Sequence, residues 1–347
     1  MKDHPCRAHA TITFPELKKA GVVVCLGTVL ARVKPSIRPS GGFARHDLDY
    51  ATPEIAAAAA IGQASYYELY EQRGWIRRIR TAADLRRHMN EVGSWLGESA
   101  PTSTADDAAA REPDPLNAPP VGLILAMEGA DPIISPDDLS AWWSRGLRAV
   151  GLSHYGESRY AVGTGGDGPL TDEGRVLLRE MERHGFILDL THLSDTSFWQ
   201  AVELYGGPKI ASHNNCRTLV PGGRQYDDKQ IAAVFESGGI IGVALDAWML
   251  YQGWSRGATS PNVLDLGSVA NHIDHMCQIT GSSRGIAIGS DLDGAFGNEQ
   301  TPGDVKSIAD LQKLAGILSG RGYSDSDIRG IFYRNWLHFL LRALDTE

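Results

Sequence analysis

The chain has 347 residues, 42% hydrophobic and 22% charged, with 42 acidic against 33 basic side chains and a net charge of −9. That length buries a large core and fits one α/β domain of barrel size, while the acidic balance excludes broad binding to a phosphate backbone, which needs clustered Lys and Arg. No apolar run reaches the roughly 18 residues of a membrane span, the opening MKDHPCRAHATITF has no hydrophobic signal core, and Cys6, Cys25, Cys216 and Cys277 form no CxxC pair, so a soluble cytoplasmic protein with reduced thiols is expected.

In chain order, Gly21 to Ala31 (GVVVCLGTVLA) is an apolar run of strand length, followed by the helical pattern TPEIAAAAAIGQASYYELYEQRG. Glu98 to Pro120 is rich in Pro, Ala and acidic residues with almost no large apolar side chains, which predicts an exposed loop. From about residue 120 to 320, strand and helix patterns alternate, the signature of parallel βα units. The apolar run VGLILAMEG carries Glu128, LRAVGLSH carries His154, ILDLTHLSD His192, KIASHNN His213, GIIGVALDA Asp246 and GIAIGSDLDG Asp291. Between them, TDEGRVLLREMERHG offers Thr171 as an N-cap, acids in the first turn, Leu177, Leu178 and Met181 on one face, and Gly185 as a stop. DTSFWQAVELYGG, DDKQIAAVFESGG and SVANHIDHMCQITG follow the same plan, and SDSDIRGIFYRNWLHFLLRAL reads as an amphipathic closing helix. Seven strands result, one short of a TIM-type (β/α)8 barrel, in a single domain over residues 1–347 with the exposed loop at 98–120.

A histidine ending one buried strand is most often a hydrogen-bonded structural group. Six apolar runs that each finish on a metal-binding or proton-moving residue point instead to one site at the C-terminal strand ends, where such barrels carry their chemistry. Glu128, His192 and His213 form a His₂-carboxylate set suited to catalytic zinc with an open position for water, which loses its proton near neutral pH when bound. Gly129 gives Glu128 room to bridge two metals. In SDLDG, a persisting strand would send Asp291 and Asp293 to opposite faces; Asp291 is favoured as the proton shuttle and Asp293 as a turn residue. His154 is open between metal binding and stabilising an oxyanion, and Arg224, in the loop HNNCRTLVPGGRQYDD, is placed to clamp a substrate carboxylate. His272 and His275, one helical turn apart but away from the strand ends, are read as structural, and Asp246 is open between a supporting and a structural role.

Together AMEGAD, GLSHYG, LDLTHLSD, ASHNNCR, GGRQYDD, HIDHMCQITG and GSDLDGAFG, in this order, resemble the membrane (renal) dipeptidases and their bacterial relatives. The resemblance implies a (β/α)8 barrel that hydrolyses dipeptides, including those with a C-terminal D-residue, with two zinc ions. Carried over by residue, it implies that Glu128 bridges the metals, that His192 and His213 complete one metal site, and that His154 contacts substrate and polarises the carbonyl or oxyanion. Arg224 then holds the substrate carboxylate and Asp291 transfers the proton. The family's other metal site takes a His-x-Asp pair from the end of the first barrel strand, and nothing ahead of Thr11 reads as such a strand. The expected fold is therefore the barrel lacking its first strand, with ligands for one of the two zinc ions; His4, His9 and His46 with Asp47 or Asp49 are the conceivable substitutes. Two explanations compete: the natural chain begins before Met1, or the protein is short, with an incomplete barrel and impaired chemistry. The expected function is zinc-dependent dipeptide hydrolysis. The alternatives are a non-catalytic metal- or peptide-binding remnant and another metal-dependent amidohydrolase reaction on the same barrel. A small dipeptide is the expected partner, and the resemblance makes a homodimer plausible.

Overall fold

A computed structural model describes residues 9–34, 47–97 and 118–345. His4, Cys6, His46 and most of the loop expected at 98–120 lie outside the described residues.

The first elements are α1 (Phe14–Lys19), β1 (Val24–Val29), a small ribbon of β2 (Arg32–Val33) and β3 (Asp49–Tyr50), α2 (Pro53–Gln72), β4 (Ile76–Arg78) and α3 (Ala82–Trp95). There follow β5 (Val121–Glu128), α4 (Leu139–Ser144), β6 (Leu147–Gly151), α5 (Asp172–His184), β7 (Ile187–Asp189), α6 (Asp195–Leu204), β8 (Lys209–Ala211), α7 (Asp228–Glu236) and β9 (Ile240–Val243). The chain ends through α8 (Ala247–Leu250), α9 (Leu266–Thr280), β10 (Ile286–Ile288), α10 (Lys313–Gly320), α11 (Asp325–Arg329) and α12 (Asn335–Ala343).

One parallel sheet runs β1-β5-β6-β7-β8-β9-β10, with β4 paired to β5. Its strands are buried on both faces because each alternates between two cores. Ile124 and Ala126 of β5 join Ala149, Ile187, Ile210, Ile240 and Ala287 on the enclosed face, and Phe339 and Leu340 of α12 seal that cluster. Leu123, Leu125, Met127, Val150, Leu188, Ile241 and Ile286 face the surrounding helices. The helix boundaries follow local chemistry: Thr171 Oγ1 accepts from Gly174 N at 3.0 Å at the start of α5, and Gly185 takes a left-handed φ of 77° at its end.

The expected strands all form, and β4 is an addition. Its sequence, Ile-Arg-Arg, carries no apolar run, and its arginines are held by acids on the flanking helices, Arg78 by Glu68 and Glu71 and Arg77 by Glu91. It does not close the barrel. β4 takes Val121 to Leu123 of β5, β6 takes Leu125 to Glu128, and β1 lines the other edge. Among the described residues β1 pairs only with β5 and β10 only with β9, so the sheet is a curled barrel left open between them.

His272 and His275 are structural, as their distance from the strand ends implies. His275 pairs with Asp228, and buried His272 accepts the Cys216 amide on Nδ1 at 3.0 Å. Burial, with a smaller effect of His275, holds His272 down at about 3, against about 6.5 in an unfolded chain. The folded state therefore keeps it neutral while the unfolded state takes up a proton below about pH 6.5. Its contribution is complete above that pH and is lost progressively down to about pH 3, at about 1.4 kcal/mol per pH unit. In urea unfolding between pH 6 and 4, His272→Gln, which keeps an acceptor for Cys216, is expected to reduce the fall of stability with acid by about that slope, the other buried histidines supplying the rest; an unchanged slope in the variant contradicts the assignment.

Candidate functional site

The polar residues meet beyond the C-terminal ends of the strands. Glu128 is the last residue of β5, but His154, His192, His213, Asp246 and Asp291 lie two or three residues past the ends of β6, β7, β8, β9 and β10. The apolar runs thus overstate the strands, and the site is built from loop backbone. Two of its residues need left-handed backbone, His192 at φ 69° and Asp291 at φ 56°, which is costly for a side chain bearing a Cβ. Thr164 holds His192 in place, its hydroxyl donating to the His192 carbonyl at 3.3 Å. Gly129 also has a positive φ, 85°, and a Cβ there would meet nothing nearer than 3.6 Å. The backbone turn after Glu128, rather than space, is what asks for glycine.

Three imidazoles converge on one carboxylate oxygen. Glu128 Oε1 lies 3.0 Å from His192 Nε2, 3.3 Å from His213 Nε2 and 3.5 Å from His154 Nε2, and the two nitrogens of His192 and His213 are 3.3 Å apart. The ligand atoms of Glu128, His154 and His192 all fall within 4.8 Å of one another. Hydrogen bonds to the far side of each ring separate their roles. The Thr164 hydroxyl, already donating to a carbonyl, accepts from His192 Nδ1 at 3.0 Å, which leaves a lone pair on His192 Nε2. Ser212 Oγ stands 2.9 Å from His213 Nδ1 and can serve that ring likewise. For His154 the neighbour is Arg32, whose Nη1 is 3.4 Å from Nδ1. A guanidinium only donates, so His154 Nδ1 accepts and its Nε2 carries the proton.

Glu128 Oε1 and the Nε2 atoms of His192 and His213 are then electron-rich atoms facing each other, stable only with a proton or a cation among them. Two imidazoles and a carboxylate with ring orientation fixed from behind are a fitting donor set for a divalent metal. Burial lowers His192 well below the usual histidine range, with Arg224 and His154 adding to it, as a metal-binding imidazole requires. Burial would lower His213 too, but Asp291 and Glu128 raise it. Burial works against the Glu128 carboxylate, yet the three histidines hold it well below the ordinary range.

Around this cluster is a cavity of about 340 Å³ lined by Glu128, His154, His192, Arg224, Asp246 and Asp291 with neighbouring apolar groups, within the range of small-molecule sites. Asp291 Oδ2 is 4.0 Å from His213 Nε2, and burial pushes its carboxyl up to about 6. Asp246 caps α8 by accepting from Trp248 N at 3.3 Å and accepts from Gln300 Nε2 at 2.8 Å; burial, then Asp291, raise it to about 7. Arg224 is 4% exposed, donates from Nη2 to the His213 carbonyl at 2.9 Å, and has no hydrogen-bond partner on Nη1 among the described residues.

All six sequence-predicted site residues, Glu128, His154, His192, His213, Arg224 and Asp291, are brought to this cluster or its cavity wall. The expected geometry of the SDLDG segment is corrected: β10 stops at Ile288, so strand alternation does not decide between the two acids. Asp293 is more than a turn residue, since its carboxylate accepts from Thr11 N, Thr11 Oγ1 and Ile12 N and pins the N-terminal segment. Among the described residues, His9 and Asp49 are engaged away from the Glu128 cluster. His9 pairs with Asn298 and Glu299, and Asp49 with Arg32. Arg32, Thr164 and Gln300 were not legible as site residues; Ser212, adjacent to His213, was within reach of the hydroxyl-beside-histidine pattern.

The family model for membrane dipeptidases (peptidase family M19) matches residues 100–346. An uncharacterized protein from the pqqA 5′ region of Klebsiella pneumoniae is 28% identical over 211 residues, 58% of this chain and 74% of that protein. Against three curated dipeptidases the aligned stretch is 52%, 46% and 55% of their length, so the chain spans about half of each. In structure it is similar to a crystallised M19 metallopeptidase, dipeptidase AC, at TM-score 0.77 and 24% identity, over 99% of this chain and 92% of that one. It is also similar to a metallopeptidase from Rhodobacter sphaeroides liganded with a phosphinate mimic of the dipeptide L-Ala-D-Ala, at TM-score 0.76 and 23% identity, over 98% and 92% of the two chains. These structural likenesses establish the fold, the barrel of such enzymes, and the family match over most of the sequence establishes the kinship: this chain belongs to the membrane dipeptidase family.

Proposed function

We propose that the protein is a zinc-dependent dipeptidase that accepts substrates with a C-terminal D-residue. The observation that carries the reading is the convergence of the His192 and His213 Nε2 atoms on one carboxylate oxygen at the wall of a cavity of about 340 Å³. Glu128, His192 and His213 would hold the cation, which when bound supplies Lewis acidity, lowering the pKa of water and polarising a carbonyl. The likeness to a structure holding a dipeptide mimic supports the substrate class.

The chain's own groups do the rest. Arg224 binds the substrate carboxylate through the buried Nη1, which has no hydrogen-bond partner among the described residues. That contact fixes the C-terminal end of the dipeptide and holds the scissile carbonyl over Glu128. His154, with its proton on Nε2, donates a hydrogen bond to the carbonyl oxygen as charge develops there. Asp291 takes a proton from the attacking water on its carboxylate and returns it to the leaving amine. A carboxyl held near 6 can serve both steps at neutral pH.

The deciding experiment is turnover of L-Ala-D-Ala and L-Ala-L-Ala by protein stripped with chelator and reloaded with zinc. Activity lost on stripping and restored by zinc supports the proposal. Zinc binding without turnover would favour the non-catalytic metal-binding alternative, for which the open place between β10 and β1 is the structural motive. Hydrolysis of lactones or deamination substrates instead would point to a different amidohydrolase reaction.

A further inference from the structure

We propose that Arg32, fixed by Asp49, is a positioning residue that sets the tautomer and orientation of His154. The inference rests on the reading of His154 as the donor to the substrate carbonyl.

Arg32 belongs to the β2–β3 ribbon, apart from the barrel strands, and faces Asp49 across it as a register pair. Its side chain is 3% exposed, with Nη2 2.5 Å from Asp49 Oδ1 and Nη1 3.4 Å from His154 Nδ1. Its backbone is fastened on both sides: Leu30 N donates to Gln63 Oε1 at 2.8 Å, and Val33 N donates to Asp131 Oδ2 at 2.8 Å. The guanidinium head is thus a fixed point behind the imidazole, and it does not line the substrate cavity. A planar donor fork with no acceptor capacity admits one tautomer of its neighbour, the one whose proton sits on Nε2. That nitrogen points at the Glu128 end of the cavity, 3.5 Å from Oε1. Without Arg32 the imidazole could turn over or move its proton to Nδ1, presenting a lone pair where the carbonyl oxygen must be met.

A merely structural role is the competing account, since a buried ion pair across a two-stranded ribbon also joins its strands. The two differ in what depends on His154. The test compares wild type, Arg32→Met, Arg32→Lys, His154→Ala and the Arg32→Met/His154→Ala double variant, all zinc-loaded, with the melting temperature and zinc content of each recorded.

Arg32→Met is expected to lower kcat for L-Ala-D-Ala about 10- to 100-fold with KM within about twofold. Arg32→Lys, still a pure donor, should recover part of that loss. In the His154→Ala background, Arg32→Met should cost nothing further, because both changes remove one interaction. Independent, multiplying losses overturn the proposal, as does an Arg32→Lys variant no better than Arg32→Met. Should Arg32→Met not fold, Asp49→Asn replaces it, with a smaller loss of kcat that likewise vanishes beside His154→Ala.

A second readout needs no turnover. Long-range ¹H–¹⁵N correlation of the His154 ring should show the Nε2–H tautomer in wild type and its loss in Arg32→Met; an unchanged ring overturns the proposal. An active protein indifferent to His154→Ala would remove the reading of His154 and this proposal with it, whereas an inactive wild type with the predicted tautomer change would leave the positioning role intact and remove only the dipeptidase reading.

Discussion

Glu128→Gln is expected to lower dipeptide turnover at least about a thousandfold and to abolish tight zinc binding. The glutamine has the same shape but presents an amide where three imidazole nitrogens lie within 3.5 Å of a single oxygen. If the amide turns its oxygen inward, the charge is still gone; if it turns its nitrogen inward, a donor replaces a ligand. Zinc per chain by elemental analysis and turnover by amine release should fall together. Wild-type turnover in Glu128→Gln would show that the cation, if present, sits elsewhere.

The second large effect separates two histidines that look alike in sequence. His154→Ala is expected to lower kcat about 100- to 1,000-fold, the usual cost of losing one oxyanion donor, while KM and zinc content stay near wild type. His192→Ala should lose zinc and turnover together. The contrast follows from what lies behind each ring: a hydroxyl that can accept from His192 Nδ1, and a guanidinium that can only donate to His154 Nδ1. Equal loss of zinc in the two variants would mean that His154 is a ligand and that its proton is placed wrongly.

Much of this was written in the local pattern of the chain. Parallel strands buried on both faces are continuous apolar runs, and each polar residue that follows one is carried to the same end of the sheet. That is why Glu128, His154, His192, His213 and Asp291 could be gathered from sequence. What could not be read is what depends on exact backbone path or distant partners. The stops of β7 at Asp189 and of β10 at Ile288, and the left-handed residues His192 and Asp291 three positions beyond them, carry no composition signal. β4 is short and arginine-rich, and its character comes from acids on neighbouring helices. Arg32 is ordinary in sequence and becomes part of the site only when the ribbon folds behind His154, 122 residues away. The anchoring role of Asp293 is hidden in sequence for the same reason, because its three donors come from the other end of the chain.

The left-handed backbone at His192 and Asp291 bears on how such a protein can drift over generations. At each position glycine would relax the chain and cost the fold little, yet would delete a group the chemistry uses. Selection for folding and selection for turnover therefore pull in opposite directions at these two residues. A lineage released from the need to hydrolyse anything would be free to lose His192 and Asp291 early.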